Sequence, residues 1–474
     1  MKKKVSRPVT VLQFGEGNFL RGFVDYMIDV ANEKRSHVGN VRIVKCIPQG
    51  SLEALKKQDC VYTVILRGIR GGEIYVEKHI VTSVSDAVDA YEEYDDYAKT
   101  AASPDLQVIV SNTTEAGIVY DGTDELSMTP PKSFPGKLTK LLYERFKHFY
   151  GEEDKGLIIL PAELIDKNGD KLLECCLKLA ELWELSPSFI KWLKNNNIFC
   201  NTLVDRIVTG YPADEAEALK KELGYEDRLI VTAEPFALWV IESKRVSEVA
   251  RRFPLYKANL PVIFTNDLSP YRERKVRILN GTHTSTALAA YLSGIDTVGD
   301  MMKDPTLRAF LEKVMFGELS PRVPLPADEV KSFADSVIER FANPFIKHNL
   351  LSISLNSVSK FKVRVLPTIL ETHEQTGALS DYLCFALAAL VKFYSAGERG
   401  GIPYKVSDDA AVLDFFHENK DKPPHDLVIK FLNREDFWDR DLMEVPGFAE
   451  KVSESLVEIN TRGMRGAVEW ILSK

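Results

Sequence analysis

Residues 9–15, VTVLQFG, form an apolar run that stops at a glycine. Apolar side chains then recur at Phe19, Leu20, Phe23, Val24, Met27, Ile28 and Ala31, the three-and-four spacing of one helix face. A second apolar run, NVRIVKCI, occupies residues 40–47. Strand, glycine turn, helix and strand make a βαβ opening. Residues 62–69 and 72–84 read as two strands joined by the Gly71-Gly72 turn. Residues 86–101 read as a polar-faced helix, and residues 106–113, LQVIVSNT, as a strand. That strand shows no alternation, which belongs in a parallel sheet covered on both faces. Helices at 134–150 and 170–185 flank a buried strand at 156–165, and runs at 202–210, 227–243 and 260–266 continue the mixed pattern. Beyond about residue 266 the strand signal fades and amphipathic helices take over, among them 359–375 read as one helix. The pattern therefore predicts an α/β Rossmann-type domain over residues 1–265 and a mostly helical domain over 266–474.

A chain of 474 residues exceeds one ordinary core, in line with two domains. Apolar residues at 45% and charged residues at 27% are the balance of a globular protein. The net charge of −8 and the lack of a basic stripe exclude nucleic acid as a partner. The basic start has no apolar stretch behind it, and no run approaches the roughly 18 apolar residues of a membrane span, so a cytoplasmic protein with no membrane contact is expected. The six cysteines contain no C-x-x-C and are expected to be buried free thiols.

Three stretches carry candidate chemistry. In FGEGNFLRG, residues 14–22, Gly15 and Gly17 match the first two glycines of G-x-G-x-x-G, while Leu20 stands where the third belongs and a glycine comes only at Gly22. The stretch lies between the first strand and the first helix, where a dinucleotide fold presents the pyrophosphate. Gly15 allows a tight turn, Gly17 lets the backbone approach phosphates, and the helix start supplies N–H donors, with Arg21 able to add charge. The second strand ends in IVKCIPQGS without the expected ribose-binding acid, and Lys45 is basic. NAD and NADP both remain open on these residues. In SNTTEAG, residues 111–117, Asn112, Thr113 and Glu115 follow a strand end and offer groups to phosphate, ribose or nicotinamide.

The third stretch is KVRILNGTH, residues 275–283. On an ideal helix, with Lys275 at zero, Asn280 falls near 140° and His283 near 80°, within one broad sector (about 100° per residue). Carbonyl reduction needs a proton donor and fixed hydrogen bonds at the oxygen where alkoxide charge develops. A lysine in a desolvated, cation-rich site can be acid and base. Asn280 offers an amide, and His283 can donate or orient. No metal is required. The stretch falls where the α/β part gives way to the helical part, a common location for pockets.

The K-x-x-x-x-N-x-x-H pattern behind an N-terminal G-x-G-N-F-x-R-G-F resembles the polyol-specific long-chain dehydrogenases, the mannitol dehydrogenase family. AELIDKNGD, TLVDRIVTGYP and FANPFIKHNLLSISLNSVSKFKVRVLP extend the resemblance over essentially the whole chain. It implies a metal-independent dehydrogenase using NAD(H), with cofactor contacts along Phe14, Gly15, Gly17, Asn18, Phe19 and Arg21 and along Asn112, Thr113 and Glu115. By the same resemblance Lys275 is the general acid/base, Asn280 and His283 polarise the carbonyl, and Lys360 and Asp205 lie near the substrate. Leu164, Ser352 and Leu355 replace polar groups that mannitol-type members carry. That departure argues against a neutral polyol and for a small-molecule hexuronate substrate. Its carboxylate needs a cation, for which Arg206, Lys360, Lys362 and Arg364 are the candidates.

Overall fold

The computed structural model describes residues 3–34, 36–113 and 117–474. The chain divides into two compact units, Met1–Arg67 with Ile74–Leu268, and Gly68–Glu73 with Ser269–Lys474.

The first unit holds strands β1 (Val9–Phe14), β2 (Asn40–Lys45), β3 (Tyr62–Arg70), β4 (Glu73–Val81), β5 (Val84–Asp89), β6 (Val108–Ser111), β7 (Ile158–Pro161), β8 (Ile198–Phe199), β9 (Asn201–Asp205), β10 (Val208–Gly210), β11 (Val231–Ala233), β12 (Leu238–Glu242) and β13 (Val262–Thr265). Six of them form one sheet in the order β5-β2-β1-β6-β7-β8, with every neighbour parallel. This is the doubly wound order, whose direction of winding reverses between β1 and β6. Each strand buries alternate residues in two different cores. Val11, Ile43, Val108, Val110 and Ile158 pack with Phe23, Met27 and Ile28 on one face. Leu12, Val44, Ile109 and Ile159 pack with Leu138, Leu142 and Phe189 on the other. Burial on both faces is why these runs carry no polar alternation.

β3 and β4 pair through Gly71 and Gly72, both at positive φ, as the double glycine predicts. Residues 86–101 depart from the expected single helix: β5 takes Asp86 to Asp89, and helix begins only at Tyr94–Lys99. The acids that mimic a helix face stand in register with bases on β2, Arg42 opposite Asp86 and Lys45 opposite Asp89. Both pairs close as salt bridges, at 3.3 and 2.7 Å.

The second unit is mostly helical, as predicted. Helix Asp381–Ala396 is mostly apolar and buries eleven of its sixteen residues. The single helix expected over residues 359–375 is two, Ser357–Arg364 and Leu366–Thr376, because Pro367 starts a new first turn. All six cysteines are free and buried. Burial pushes the Cys46 and Cys60 thiols up to about 11 and those of Cys176 and Cys200 up to about 12. Among the described residues no helix is long and apolar enough to cross a membrane.

Candidate functional site

The glycine turn follows β1 directly. Gly15 has φ +118°, donates its N–H to the Val44 carbonyl at 3.0 Å, and would place a Cβ 3.1 Å from the Asn112 carbonyl oxygen. Only glycine fits there. At Gly17 a Cβ would meet nothing within 4 Å, so this side of the turn is open to an approaching ligand. Gly22 would bring a Cβ to 2.9 Å from Val231 and 3.2 Å from Val208. The offset glycine therefore serves close helix–strand packing, the job of the third glycine in the dinucleotide fingerprint.

The turn's polar side chains mostly serve the protein itself. Arg21 is buried and donates to the carbonyls of Leu229 at 2.8 Å and Glu16 at 3.1 Å and to Asn18 Oδ1 at 2.6 Å. Its guanidinium pins the turn. Phe14 is a core residue 5.1 Å from the Phe134 ring, and its carbonyl accepts from Asn112 N–H at 3.2 Å. Phe19 stacks on Phe23 at 5.0 Å. Asn112 Nδ2 donates to the Ala162 carbonyl at 2.9 Å. Thr113 donates through both N and Oγ1 to Glu163 Oε1 at 3.0 Å, and Ser111 Oγ to Glu163 Oε2 at 3.1 Å. Burial raises the Glu163 carboxyl above its ordinary range despite these donors. Sequence reasoning missed Glu163, although an acid directly after an apolar strand is the signal that marks it. Glu115 lies outside the described residues.

Beyond the ends of β2 and β5 opens a cavity of about 600 Å³, lined by Gly50, Ser51, Glu53, Lys56, Lys57 and Asp89. Its lysines are paired: Lys56 with Glu93 at 2.6 Å, Lys57 with Glu53 at 2.5 Å. Lys45 is buried against Asp89.

Arg206, a candidate for the substrate carboxylate, is buried in the same unit. It donates to the carbonyls of Gly22 at 2.9 Å, Phe236 at 3.0 Å and Pro235 at 3.3 Å, and lies 5.2 Å from the Tyr26 ring centre. Burial lowers its pKa to about 10. Its fork is turned onto backbone of its own unit. Asp205 is buried at the end of β9. Among the described residues one trio of metal-type side chains gathers, Asp29, Glu33 and His79. There Asp29 already accepts from Thr82 and His79.

In the second unit Lys275, Asn280 and His283 lie on one continuous helical run. Residues Lys275–Gly281 adopt wide π turns between helices Ser269–Arg274 and Thr282–Leu292. With bonds reaching five residues instead of four, Asn280 comes nearer to alignment with Lys275 than the ideal helix allows. Arg277 anchors the segment, meeting Glu371 at 2.7 and 2.5 Å and Thr368 at 3.1 Å. A Cβ on Gly281 would stand 3.2 Å from the Arg364 carbonyl oxygen, so the glycine lets helix Ser357–Arg364 come close.

His283 sits with its ring 4.0 Å from Phe341 and 5.2 Å from His348. Its Nδ1 is buried without a hydrogen-bond partner. Burial, followed by His348, Arg340 and Arg364, holds the imidazole well below its ordinary pKa. Arg364 Nη1 donates to Thr284 Oγ1 at 3.4 Å. Lys360 donates to the Ile353 carbonyl at 3.1 Å, and its pKa is lowered by burial and by Arg364. Lys362 is paired with Asp439 at 2.9 Å. Arg340 and His348 escaped sequence reasoning, although His348 lies within FANPFIKHN. The surroundings of His283 are positive and partly dry, an environment that favours an anion bearing a polarisable oxygen.

A doubly wound sheet with a glycine turn at its switch point, followed by a helical unit carrying lysine, asparagine and histidine on one helix, defines a dinucleotide-binding dehydrogenase. Residues 9–253 match the Mannitol dehydrogenase Rossmann domain and residues 267–460 the Mannitol dehydrogenase C-terminal domain. The chain belongs to the mannitol dehydrogenase family. It is 46% identical over 468 residues to the altronate oxidoreductase of Escherichia coli (strain K12), covering 97% of this chain and 96% of that one. The altronate oxidoreductase of Yersinia enterocolitica is likewise 46% identical over 470 residues, with 98% and 97% covered. Among solved structures, D-sorbitol dehydrogenase in substrate-free form superposes with a TM-score of 0.82 at 23% identity, covering 98% of this chain and 95% of that one. Pseudomonas fluorescens mannitol 2-dehydrogenase, in a ternary complex with NAD and D-mannitol, gives 0.68 at 21% identity, covering 99% and 95%. These two likenesses concern the fold.

Proposed function

We propose that the protein reduces the 5-keto group of D-tagaturonate to D-altronate with NADH, reversibly and without a metal. The full-length likeness to altronate oxidoreductases carries this reading. The positive surroundings of His283 support it, since a hexuronate is an anion. Residues 1–265 serve as the cofactor domain and residues 266–474 as the catalytic one, in a cytoplasmic enzyme.

The turn fits a dinucleotide: Gly17 leaves its ligand side open, and Gly15 permits a backbone no other residue adopts there. Gly15, Gly17, Asn18 and Phe19 line the pyrophosphate, with Asn112 and Thr113 nearby. The paired lysines and the acids of the cavity beyond β2 favour ribose hydroxyls over a 2′-phosphate, hence NAD over NADP. When bound, NADH supplies the hydride that reaches the keto carbon. Lys275 gives its Nζ proton to the carbonyl oxygen, and the product is a secondary alcohol. Asn280 and neutral His283 hold that oxygen as charge develops on it. Arg364, with Lys360, holds the carboxylate, and Asp205 orients a substrate hydroxyl. In the reverse direction neutral Lys275 takes the hydroxyl proton, so oxidation speeds up as pH rises.

The test follows NADH absorbance with tagaturonate and fructuronate side by side, then repeats it with NADPH. Fast turnover of tagaturonate with NADH supports the reading. Fast turnover of fructuronate alone would keep the chemistry and replace the substrate. Turnover of neither would remove the hexuronate assignment.

A further inference from the structure

Beneath the glycine turn lies a buried acid that this reaction does not use. Asp25, fully buried, ends the wide-turned segment Arg21–Asp25. Its Oδ2 accepts from the Tyr62 hydroxyl on β3 at 2.8 Å and from Gln13 Nε2 at 3.5 Å. Gln13, equally buried on β1, donates from the same nitrogen to the Gly15 carbonyl at 3.1 Å. Asp25 Oδ1 and Gln13 Oε1 both lack a partner. Two neighbouring buried side chains thus each leave an acceptor oxygen unsatisfied. A proton on the carboxyl turns one of these acceptors into a donor.

On its own helix stand Arg21, whose charge favours the ionised form although its guanidinium is committed elsewhere, and Asp29, a like charge that opposes it more weakly. From β3 comes Tyr62 and just ahead of it Cys60, neither of them a cation. Ser83 donates only to the Asp25 backbone carbonyl, at 3.0 Å. Burial outweighs the hydrogen bonds from Tyr62 and Gln13 and raises the carboxyl to about 7.

We propose that Asp25 is a positioning residue, carried as a neutral carboxylic acid that shares its proton with Gln13 and so fixes the Gly15 carbonyl, and that its ionisation loosens the dinucleotide turn. The proposal rests on reading that turn as the NADH site.

The experiment measures NADH affinity by fluorescence from pH 6 to pH 9, and melting temperature from pH 4 to pH 9. The variants are Asp25→Asn, which is permanently neutral, and Tyr62→Phe, which removes a donor that favours the ionised form. A carboxyl raised from 3.8 to about 7 contributes stability that is full below the unfolded value and is lost by the time pH has risen through the folded one. The wild type should therefore lose melting temperature between about pH 4 and pH 7, and lose affinity by roughly fivefold or more between pH 6 and pH 9. Asp25→Asn should match its affinity at pH 6, keep it at pH 9, and lack the fall in melting temperature. Tyr62→Phe should move the midpoint to higher pH, a shift that lost packing alone does not produce. Identical pH profiles for wild type and Asp25→Asn, or an unmoved midpoint in Tyr62→Phe, would overturn the proposal. A wild type that binds no NADH at any pH would remove the dinucleotide reading and the coupling with it. The melting profiles would still show whether Asp25 holds its proton.

Discussion

Two wide-turned helical segments, Arg21–Asp25 and Lys275–Gly281, sit at the two places where chemistry is expected, yet they use their side chains in opposite ways. In the first, all five residues are buried, and Arg21 and Asp25 act on backbone and on neighbouring protein groups. In the second, Arg277 anchors the segment inward while Lys275 and Asn280 remain half-buried at its open side. On the proposed function the first unit recognises its ligand with glycine-shaped backbone, and the second works with side chains in a positive, partly dry setting. Substitutions in the first should act through binding and stability, and those in the second through turnover.

The largest effect expected is at Lys275. Lys275→Ala should lower kcat by roughly 10²–10⁴, the usual worth of a general acid–base group. NADH affinity, read by fluorescence, should stay near wild type. A loss of less than about tenfold would break the assignment. The two arginines give the next contrast. Arg364→Ala should raise KM for the keto-acid by about 10- to 100-fold, the worth of a charge-assisted contact. Arg206→Lys should leave KM alone and lower unfolding free energy by about 1–3 kcal/mol, because buried carbonyls lose their donors. Denaturant curves beside steady-state kinetics separate the two, and a KM effect at Arg206 would reverse its placement. The smallest effect is one of shape. His283 is held well below its ordinary pKa, so it stays neutral as pH falls through the usual histidine range. kcat/KM should therefore show no limb there that His283→Gln removes.

The parallel sheet was legible because strands buried on both faces read as near-continuous apolar runs, as β6 and β7 do. β5 was not, because Asp86 and Asp89 find their bases on β2, a long-range pairing that local periodicity does not carry. The break at Val365 could be read from Pro367, whereas the helical period masks it. At the site, glycine spacing and residue type pointed to the turn and to the Lys275 helix. They did not say which cations the protein keeps for itself. Arg21 and Arg206 look like anion binders in sequence, and their carbonyl acceptors come from residues 5 to 208 positions away. Glu163, Arg340 and His348 went unread for the same reason: their roles come from neighbours distant in the chain.

The six buried thiols give the protein an internal clock. At neutral pH burial leaves Cys46, Cys60, Cys176 and Cys200 overwhelmingly protonated and shielded, so an alkylating reagent meets each only when its surroundings open. Five of the six lie in the first unit and Cys384 in the second. The order in which they are labelled would therefore time the opening of each unit separately, with no probe added to the chain.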